Sequence, residues 1–463
     1  MMTDPMAARF DRLREHVTAE FRRRSPRSAA AVAAASAVMP GGDTRTTTYF
    51  EPYPLFMQHG AGCRMTDLDG RTYLDFLGNY TSLIHGHAHP AIIAAVTDQL
   101  QRGTAYGSPH EAQTQLAALL CERLPSLERV RFCNSGTEAT LHAIRAAKAY
   151  TGRPKILKME GGYHGSHDAA DISVSPSMVQ AGSAHAPVSV PDSPGLFAGV
   201  VTDVLVAPFN DLDATVAIIE AHAADLAAVI LEPVLGSAGV IPATQAYLQG
   251  LREVTTRTGV LLIFDEVVTL RLDVGGVQAR LGVTPDLTAM GKIIGGGFPI
   301  GAFGGRQDVM AQFDPRAHRL HQGGTYNGNA ISMRAGCVAL EWLPAAAISK
   351  LNSQGDVLRG RLNKVLRTLG VAGHVGGVGS LLQMHLQIEQ PVRNYRDAQA
   401  SPRATQELLH LALLNRGLFA AARGEYALST PMQTSDLDEA VDCFRAALTE
   451  IAELLPPAAK TVT

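Results

Sequence analysis

The feature that most constrains this chain is a regular alternation of short apolar runs with longer stretches of helical periodicity. The runs, which have the length of buried strands, lie at residues 130–133, 155–159, 227–231 and 260–264. The stretches with apolar residues three and four apart lie at residues 111–124, 137–150, 212–224 and 244–258. This alternation predicts a mostly parallel α/β sheet with helices on both faces. The hydrophobic share of 46% is enough for a large buried core and excludes a disordered chain.

The two ends of the chain have a different texture. Residues 5–24 carry apolar side chains at helical spacing, and the turn sequence at 67–70 predicts a hairpin. Residues 176–198 are rich in Ser, Pro, Ala and Gly and predict a loop that borders a site. Beyond residue 335 the pattern is helical again and ends in a helix near 437–454. These patterns predict a large central domain and a smaller domain built from both termini.

Charge and cysteine content narrow the class of protein. The 40 Lys and Arg residues are balanced by 43 Asp and Glu residues, so no basic excess indicates a nucleic-acid partner. The five cysteines are scattered and form no CxxC pair. This number and spacing disfavour a disulfide framework and a zinc ribbon, and they suit a reducing compartment.

A possible targeting segment lies near the start of the chain. Residues 29–39 are small and apolar, follow four arginines and contain Ala35-Ser36-Ala37, which resembles a signal-peptide cleavage site. The run is shorter than the roughly 18–20 apolar residues that cross a bilayer. The segment before it is long and acidic as well as basic, which favours an ordinary amphipathic helix. We therefore expect no targeting segment, no membrane partner and a cytoplasmic protein.

Small residues and hydroxyls follow the first predicted strand, in the order Asn134-Ser135-Gly136-Thr137-Glu138-Ala139. A helix that begins there offers an anion free backbone N–H groups, the positive end of its dipole and two hydroxyl donors. The alternative is a common Ser or Thr N-cap with no ligand. This segment alone does not separate the two interpretations.

An acid and a lysine follow further along the chain. Asp265 comes directly after the run at 260–264, at the strand end where open parallel sheets bind ligands. It suits a cationic ring nitrogen, although a metal-bound or merely solvated carboxylate is the alternative. Lys292 stands between Gly291 and the run Gly295-Gly296-Gly297, and a desolvated lysine in such a position becomes a nucleophile. The lysine precedes the glycines, so the segment is neither a P-loop nor a dinucleotide fingerprint.

The order of these three features suits one cofactor. Pyridoxal phosphate needs a phosphate cup, a carboxylate for its pyridine nitrogen and a lysine that forms a Schiff base. The cup, the acid and the lysine predicted above occur in the chain in that order. We therefore predict pyridoxal phosphate as the cofactor, with Asp265 and Lys292 as the catalytic pair.

Several segments resemble those of class III, fold-type I aminotransferases. They are residues 134–139, Gly162-Tyr163-His164-Gly165, Glu232-Pro233-Val234, Phe264-Asp265-Glu266-Val267, 285–297 and 323–329. The resemblance runs from about Met39 to beyond residue 430. It implies a mostly parallel seven-stranded sheet in a large cofactor-binding domain at 86–335. It also implies a smaller α+β domain made from an N-terminal part, 1–85, and a C-terminal part, 336–463.

The resemblance also implies individual roles. Lys292 resembles the Schiff-base lysine, which also moves the substrate proton. Asp265 resembles the carboxylate that keeps the pyridine nitrogen protonated. The implied cofactor contacts are Ser135, Gly136 and Thr137 at the phosphate, Tyr163 and Val267 at the ring faces, His164 nearby, and Asn210 and Glu232 on the hydroxyl side. Thr325 resembles a residue that the neighbouring subunit lends to the phosphate, which implies a homodimer with shared active sites.

Within this family, two branches compete. The chain shares Met39-Pro40-Gly41-Gly42 with glutamate-1-semialdehyde aminomutases but lacks their spacing to the next arginine and their Gly-Phe-Arg after the strand acid. It is similar to β-phenylalanine aminotransferases at Arg45, Tyr80 and Arg423, which that resemblance makes substrate-binding residues. The implied reaction moves an amino group from a carboxylate-bearing amine, such as an aromatic β-amino acid, to 2-oxoglutarate or pyruvate.

Other interpretations stay open on the residues alone. An intramolecular amino shift or a racemisation would use the same cofactor, and a non-catalytic cofactor-binding protein is a third alternative, although Lys292 and Asp265 are both present. The histidines at 85, 87 and 89 alternate as metal ligands on one face of a strand would. Glycine and proline interrupt them, so we expect a structural turn and no metal site.

Overall fold

The computed structural model describes residues 5–455, in which helices and strands alternate as the apolar pattern predicts. The α-helices in these residues are α1 (Pro5–Arg24), α2 (Pro26–Ser36), α3 (Gly78–Thr81), α4 (Pro90–Arg102), α5 (Glu111–Arg123), α6 (Gly136–Thr151), α7 (Ala198–Asp203), α8 (Leu212–Ala221), α9 (Gln245–Thr258), α10 (Gly276–Leu281), α11 (Gln307–Met310), α12 (Ala330–Glu341), α13 (Ala345–Leu369), α14 (Tyr395–Ala398), α15 (Arg403–Leu414) and α16 (Thr434–Ile451).

The strands are mostly short. They are β1 (Met57–Ala61), β2 (Arg64–Asp67), β3 (Thr72–Asp75), β4 (Arg129–Cys133), β5 (Lys155–Met159), β6 (Val204–Ala207), β7 (Leu226–Leu231), β8 (Val234–Leu235), β9 (Ile241–Pro242), β10 (Leu261–Asp265), β11 (Leu287–Gly291), β12 (Gly301–Gly305), β13 (Gly373–Val378), β14 (Leu381–Leu386), β15 (Leu418–Phe419) and β16 (Glu425–Ala427). The four strands predicted from apolar runs are β4, β5, β7 and β10, each within one residue at either end.

A seven-stranded sheet forms the centre of the molecule, in the order β4-β12-β11-β10-β7-β5-β6. Strand β12 is antiparallel to both of its neighbours, and the remaining pairs are parallel. Every residue of β7 and β10 is buried, as expected for strands covered by helices on both faces. The predicted mostly parallel seven-stranded α/β sheet is therefore confirmed.

Three strands of this sheet were not predicted. Strand β6 is four residues long, β11 contains a threonine and a glycine, and β12 has the sequence Gly-Ala-Phe-Gly-Gly. The three glycines of β12 are strand residues. A Cβ atom on Gly301 would clash with the carbonyl oxygen of Ser135, so β12 can lie this close to the Ser135 backbone only with glycine at this position.

The two ends of the chain meet in a second sheet of order β1-β2-β3-β15. Strands β2 and β3 form the predicted hairpin around the turn at 67–70, and β15 from the C-terminal part pairs with β3 in parallel. Helix α1 has the bounds predicted for it, and its Val17 carbonyl accepts a hydrogen bond from Asn415 Nδ2 (3.0 Å). Elements from both termini therefore pack together, and the boundaries at 85/86 and 335/336 stay predictions.

The length and hydropathy of the helices bear on whether one of them can span a membrane. Among residues 5–455, no single helix is both long and apolar enough to cross a bilayer. The pair α12 and α13 meets the length and composition criteria only when taken together, and the two helices are bent by 76° at their junction.

Candidate active site

Six strands of the central sheet, all except β12, end at the same edge, and the segments that follow five of them contribute to one site. Strands β4, β5, β7, β10 and β11 run in one direction, so their carboxyl ends lie side by side. The residues that follow or close them and line one cavity of about 620 Å³ are Gly136, Thr137, Tyr163, His164, Glu232, Asp265 and Lys292. This is the edge at which open parallel sheets bind ligands.

The N-terminus of α6 forms one end of the cavity. Ser135 is its N-cap, and its hydroxyl oxygen accepts a hydrogen bond from Glu138 N (3.1 Å), so the side chain of Ser135 caps the helix and does not line the cavity. Gly136 and Thr137 do line it, with the positive end of the helix dipole behind them. A Cβ atom on Gly136 would lie 3.1 Å from Val267 Cγ1, so the glycine lets Val267 pack against this end.

Asp265 is held in place by two hydrogen bonds. His164 Nδ1 donates to Asp265 Oδ2 (2.9 Å), and Val267 N donates to Oδ1 (3.1 Å). His164 is 1% exposed, and burial lowers the pKa of its imidazole, so the ring is neutral and orients the carboxylate without supplying a charge. The carboxylate of Asp265 is therefore fixed in orientation at the end of β10.

Glu232 lies on the same edge, directly after β7. Its Oε1 accepts from Tyr163 N (2.9 Å) and its Oε2 from Gly236 N (3.1 Å). Burial, together with the nearby charge of Asp265, raises the pKa of Glu232 to about 8. At neutral pH the carboxyl group of Glu232 therefore holds a proton.

This raised pKa predicts a pH dependence of the stability of the cofactor-free protein. Between about pH 4.5 and pH 8 the folded protein keeps a proton on Glu232 that the unfolded chain has lost, so the free energy of unfolding falls as the pH rises. We expect Glu232→Gln to remove this loss and to gain a few kcal/mol relative to the wild type between pH 5 and pH 8. Urea unfolding at pH 5 and pH 8 measures the free energy of unfolding, and Glu253→Gln, at an exposed position, is the control. The same change of this free energy with pH in the wild type and both variants would contradict the assignment.

Lys292 follows β11 and faces the same cavity. Its backbone is in the left-handed region (φ 50°), which is uncommon for a residue with a side chain and marks a position held by its surroundings. Burial lowers the pKa of the Lys292 ammonium, although the carboxylates of Glu425, Glu232 and Asp265 act in the opposite direction. A lysine with a lowered pKa at a cavity wall is suited to act as a nucleophile and as a proton carrier.

The other predicted cofactor contacts divide into two groups. Tyr163 is 44% exposed, and both it and Val267 line the cavity. Asn210 does not line it, because its amide is saturated by backbone groups: Nδ2 donates to the carbonyls of Pro242 (3.1 Å) and Arg393 (2.9 Å). The structure thus places Asn210 outside the cavity that holds Glu232, in contrast to the role that the resemblance implied.

Thr325 lies in an exposed turn and does not line the cavity of its own chain. The turn is anchored beside the α6 N-terminus, because Asn134 Nδ2 donates to Asn327 Oδ1 (2.8 Å). An exposed position is compatible with a contact to a second subunit. The role of Thr325 in a partner's site stays a prediction.

Two arginines lie near one tyrosine in the wall of this cavity. The guanidinium carbons of Arg45 and Arg423 each lie 5.7 Å from the centroid of the Tyr80 ring, so both form cation–π contacts with it. Arg45 Nη1 donates to the neutral amide oxygen of Asn79 (2.8 Å), whereas Arg423 pairs with the carboxylate of Glu425. All three residues predicted to bind substrate therefore meet at one place.

Glu425 is a charged cavity residue that the sequence did not predict. It is 4% exposed, lines the cavity and is the carboxylate with the largest effect on the pKa of Lys292. An acid two positions after Arg423 was the available signal, although the backbone turns between them at Gly424 (φ 86°).

The three alternating histidines do not form a metal site. His85 Nε2 bonds to the carbonyl of Ala339 (2.8 Å), while His87 Nε2 donates to Asp75 Oδ2 (2.7 Å). Within the described part of the chain, no group of three or more His, Cys, Asp or Glu side chains is placed to hold a metal ion.

The cavity has side chains and backbone groups suited to a cofactor that carries both an anionic phosphate and a cationic ring. The α6 N-terminus with Gly136 and Thr137 suits a phosphate, Asp265 is fixed to receive a protonated ring nitrogen, and Lys292 supplies an amine. The fold and this site together define a fold-type I, pyridoxal-phosphate-dependent enzyme.

Comparison with known proteins narrows the class. The chain belongs to the class III aminotransferases, because the family model described as "Aminotransferase class-III" matches residues 47–448. It is 43% identical over 387 residues to glutamate-1-semialdehyde 2,1-aminomutase of Methanothermobacter thermautotrophicus, covering 83% of this chain and 89% of that protein. It is 40% identical over 422 residues to β-phenylalanine transaminase of Variovorax paradoxus, covering 91% and 92%.

A solved structure agrees with this assignment. The omega-transaminase from Sphaerobacter thermophilus superposes with a TM-score of 0.89 at 48% sequence identity, covering 92% of this chain and 98% of that one. The predicted family, the fold type I and the cofactor pyridoxal phosphate are confirmed by these matches. The protein is therefore an aminotransferase-family enzyme that acts on a small-molecule amino donor and an oxo-acid acceptor.

Proposed function

We propose that this enzyme is a transaminase for carboxylate-bearing amines, with β-amino acids as donors and 2-oxoglutarate or pyruvate as acceptor. The observation that carries the proposal is the pair of guanidinium groups around Tyr80, in the same cavity as Lys292. A guanidinium binds a carboxylate through two parallel hydrogen bonds, so one cavity can recognise both the amine and the carboxylate of a single donor.

The two arginines are not equivalent. Arg423 already holds the carboxylate of Glu425, whereas Arg45 donates to the uncharged oxygen of Asn79. A substrate carboxylate that replaces a neutral acceptor gains a charge-assisted bond, while one that approaches Arg423 also meets the negative charge of Glu425. Arg45 is therefore the primary carboxylate site in this proposal.

The residues around Lys292 fit the proton transfers of a transaminase. When bound, pyridoxal phosphate supplies an electron sink that stabilises negative charge on the substrate carbon. Lys292 Nζ takes the proton from that carbon and returns it, aided by a pKa that burial lowers. Asp265, oriented by His164, would hold the positive charge of the ring nitrogen, and Tyr163 and Val267, which line the cavity, would contact the ring.

We also propose a homodimer with shared active sites and a cytoplasmic location. The exposed turn at 325–328, in which Tyr326 is 62% exposed, supports a subunit contact next to the phosphate end. All five cysteines are unpaired, which suits a reducing compartment. Light scattering and mixing of two inactive variants that complement each other test the shared sites.

The intramolecular amino shift is the second candidate, supported by the similarity to glutamate-1-semialdehyde aminomutases. A donor panel separates the two reactions. Each amine is added without an acceptor, and both the cofactor absorbance and the released product are followed. A transaminase converts β-amino acids to oxo acids and loses its visible band, whereas a mutase yields an isomerised amine without net oxo product.

Arg45→Ala tests the carboxylate site directly. We expect KM for β-phenylalanine to rise about tenfold or more, because a charge-assisted hydrogen bond contributes about 1.5–3 kcal/mol. KM for 1-phenylethylamine, which has no carboxylate, is expected to change little. Arg45→Lys keeps the charge but not the bidentate geometry, so its KM for β-phenylalanine should lie between those of the wild type and Arg45→Ala. An equal rise for both donors would remove Arg45 from the carboxylate site.

A further inference from the structure

A second cavity lies directly behind Tyr80 and Arg45. It has a volume of about 380 Å³ and is bordered by β1, β2, the segment after β3 and the segment after β15. Its walls are mainly apolar and include Leu55, Met65, Leu77, Phe419 and Ala420. We name this cavity the apolar chamber. A cavity of roughly 150 Å³ holds a benzene molecule, so the chamber has room for an aromatic ring or an alkyl chain.

The chamber and the active-site cavity share four wall residues, which are Arg45, Thr47, Asn79 and Tyr80. Two hydrogen bonds close this partition: Tyr80 OH donates to the carbonyl of Thr47 (2.5 Å), and Arg45 Nη1 donates to Asn79 Oδ1 (2.8 Å). Two of these four partition residues, Arg45 and Tyr80, are those that the proposed function assigns to the substrate.

The backbone beneath the partition is unusual. Asn79, Tyr80 and Thr81 have φ values of 48°, 55° and 72°, which puts three consecutive residues with side chains in the left-handed region. Such conformations persist only where the surrounding structure enforces them, and they cluster at functional sites. The fold therefore maintains the position of Tyr80 between the two cavities at an energetic cost.

The polar groups in the chamber wall are already satisfied or uncharged. His87 donates to Asp75, and Asp43 accepts from Thr44 N (2.6 Å) and from the hydroxyl of Thr48. Burial lowers the pKa of His410 to about 4, so its ring is neutral, and its buried Nε2 has no hydrogen-bond partner. Apart from this nitrogen and Arg45, the wall offers a guest a mainly apolar surface.

From these observations, and given the proposed function, we propose that the apolar chamber binds the side chain of the amino donor. The preferred donor is then a β-amino acid with an extended apolar arm, either a linear alkyl chain or an aryl-alkyl group. Its amine lies at Lys292, its carboxylate binds Arg45 in place of Asn79, and its arm passes Tyr80 into the chamber. The cavity on the other side of Arg423 is less suited, because its walls include Gln383, Gln399 and Gln406.

The test is a chain-length series in the complete enzyme. Racemic 3-amino acids from 3-aminobutanoate to 3-aminodecanoate are compared, and kcat/KM is expected to rise about fourfold for each methylene that enters the chamber. Ala420→Leu reduces the chamber and should lower the ratio of long-arm to short-arm kcat/KM at least about tenfold. Met65→Ala enlarges the chamber and should raise this ratio for the longest arms.

Ala398→Leu is the matched control, because it makes the same substitution in the wall of the cavity beyond Arg423. It should leave the ratio unchanged. A flat series in the wild type, or a ratio that responds to Ala398→Leu and not to Ala420→Leu, would overturn the proposal. Thermal unfolding of each variant verifies that it is folded. If Ala420→Leu does not fold, Met65→Ala still tests the chamber.

A binding measurement separates this proposal from the proposed function. Straight-chain carboxylic acids from butanoate to decanoate carry no amine and are titrated calorimetrically into the enzyme. Their Kd should fall about fourfold per methylene in the wild type and much less in Ala420→Leu. If every amine fails to react but this trend holds, the transaminase proposal is wrong and the chamber is retained. If short donors react and the trend is absent, the chamber alone is refuted.

Discussion

Replacing Lys292 with alanine is expected to lower kcat by at least about 10³-fold. The side chain supplies both the amine that attaches the cofactor and the group that moves the substrate proton, and each role contributes a large factor to the rate. Among the described residues that line the cavity, Lys292 is the only lysine, so no neighbouring amine can replace it. The phosphate end, at Gly136 and Thr137, is untouched by the change.

Three measurements check this expectation. Steady-state kcat reports the loss, the absorbance of the protein after gel filtration reports retained cofactor, and added ethylamine should restore part of the rate by replacing the missing amine. Lys155→Ala serves as control, because this lysine pairs with Asp225 (2.6 Å) at the start of β5 and does not line the cavity. A rate near that of the wild type in Lys292→Ala would show that the assigned role is wrong.

Asp265→Asn is expected to lower kcat by about 10²–10³-fold, the loss typical of removing one preorganised electrostatic group. The amide keeps the size of the side chain but loses the negative charge that faces the ring nitrogen. It also leaves one acceptor oxygen for two donors, His164 Nδ1 and Val267 N, because an amide nitrogen cannot accept a hydrogen bond. The absorbance spectrum of the bound cofactor, titrated with pH, should show that its ring nitrogen has lost its proton.

Glu266 provides a closely matched control for this variant. It is the next residue and a buried carboxylate, but its oxygens accept from Thr269 Oγ1 (2.6 Å), Val277 N (2.9 Å) and Gln278 N (3.0 Å), away from the cavity. Glu266→Gln should lower the midpoint of thermal unfolding while kcat of the folded protein stays close to the wild-type value. Equal losses of kcat in both variants would indicate a general disturbance of the strand end.

The elements of the central sheet show what local patterns predict well. Strands β7 and β10 are continuous apolar runs because they are buried on both faces, and their neighbouring helices have clear periodicity. Strand β12 escaped prediction because a glycine-rich sequence has no side chains to form a pattern. Its strand conformation depends on pairing with β4 and β11, which are distant in sequence.

The site shows the same division. Lys292 and Asp265 were predictable because each follows its own strand, and parallel strands bring their carboxyl ends together. Asn210 also follows a strand, β6, but this strand lies at the edge of the sheet, and the amide is bound by Pro242 and Arg393. A position at a strand end is thus necessary for this site but does not by itself place a side chain in the cavity.

The sequence by itself determined the order of strands and helices, the reactive groups at the strand ends and the cofactor that suits them, since these are written in short, local patterns. The tertiary structure alone decided that Arg45 and Arg423 meet at the ring of Tyr80, that Arg45 holds a neutral amide, and that an apolar chamber lies behind Tyr80. Contacts of this kind join segments such as residues 45–80 and 419–425, which are more than 300 positions apart. Charge pairing and cavity shape depend on distances in space, and no periodicity along the chain encodes them.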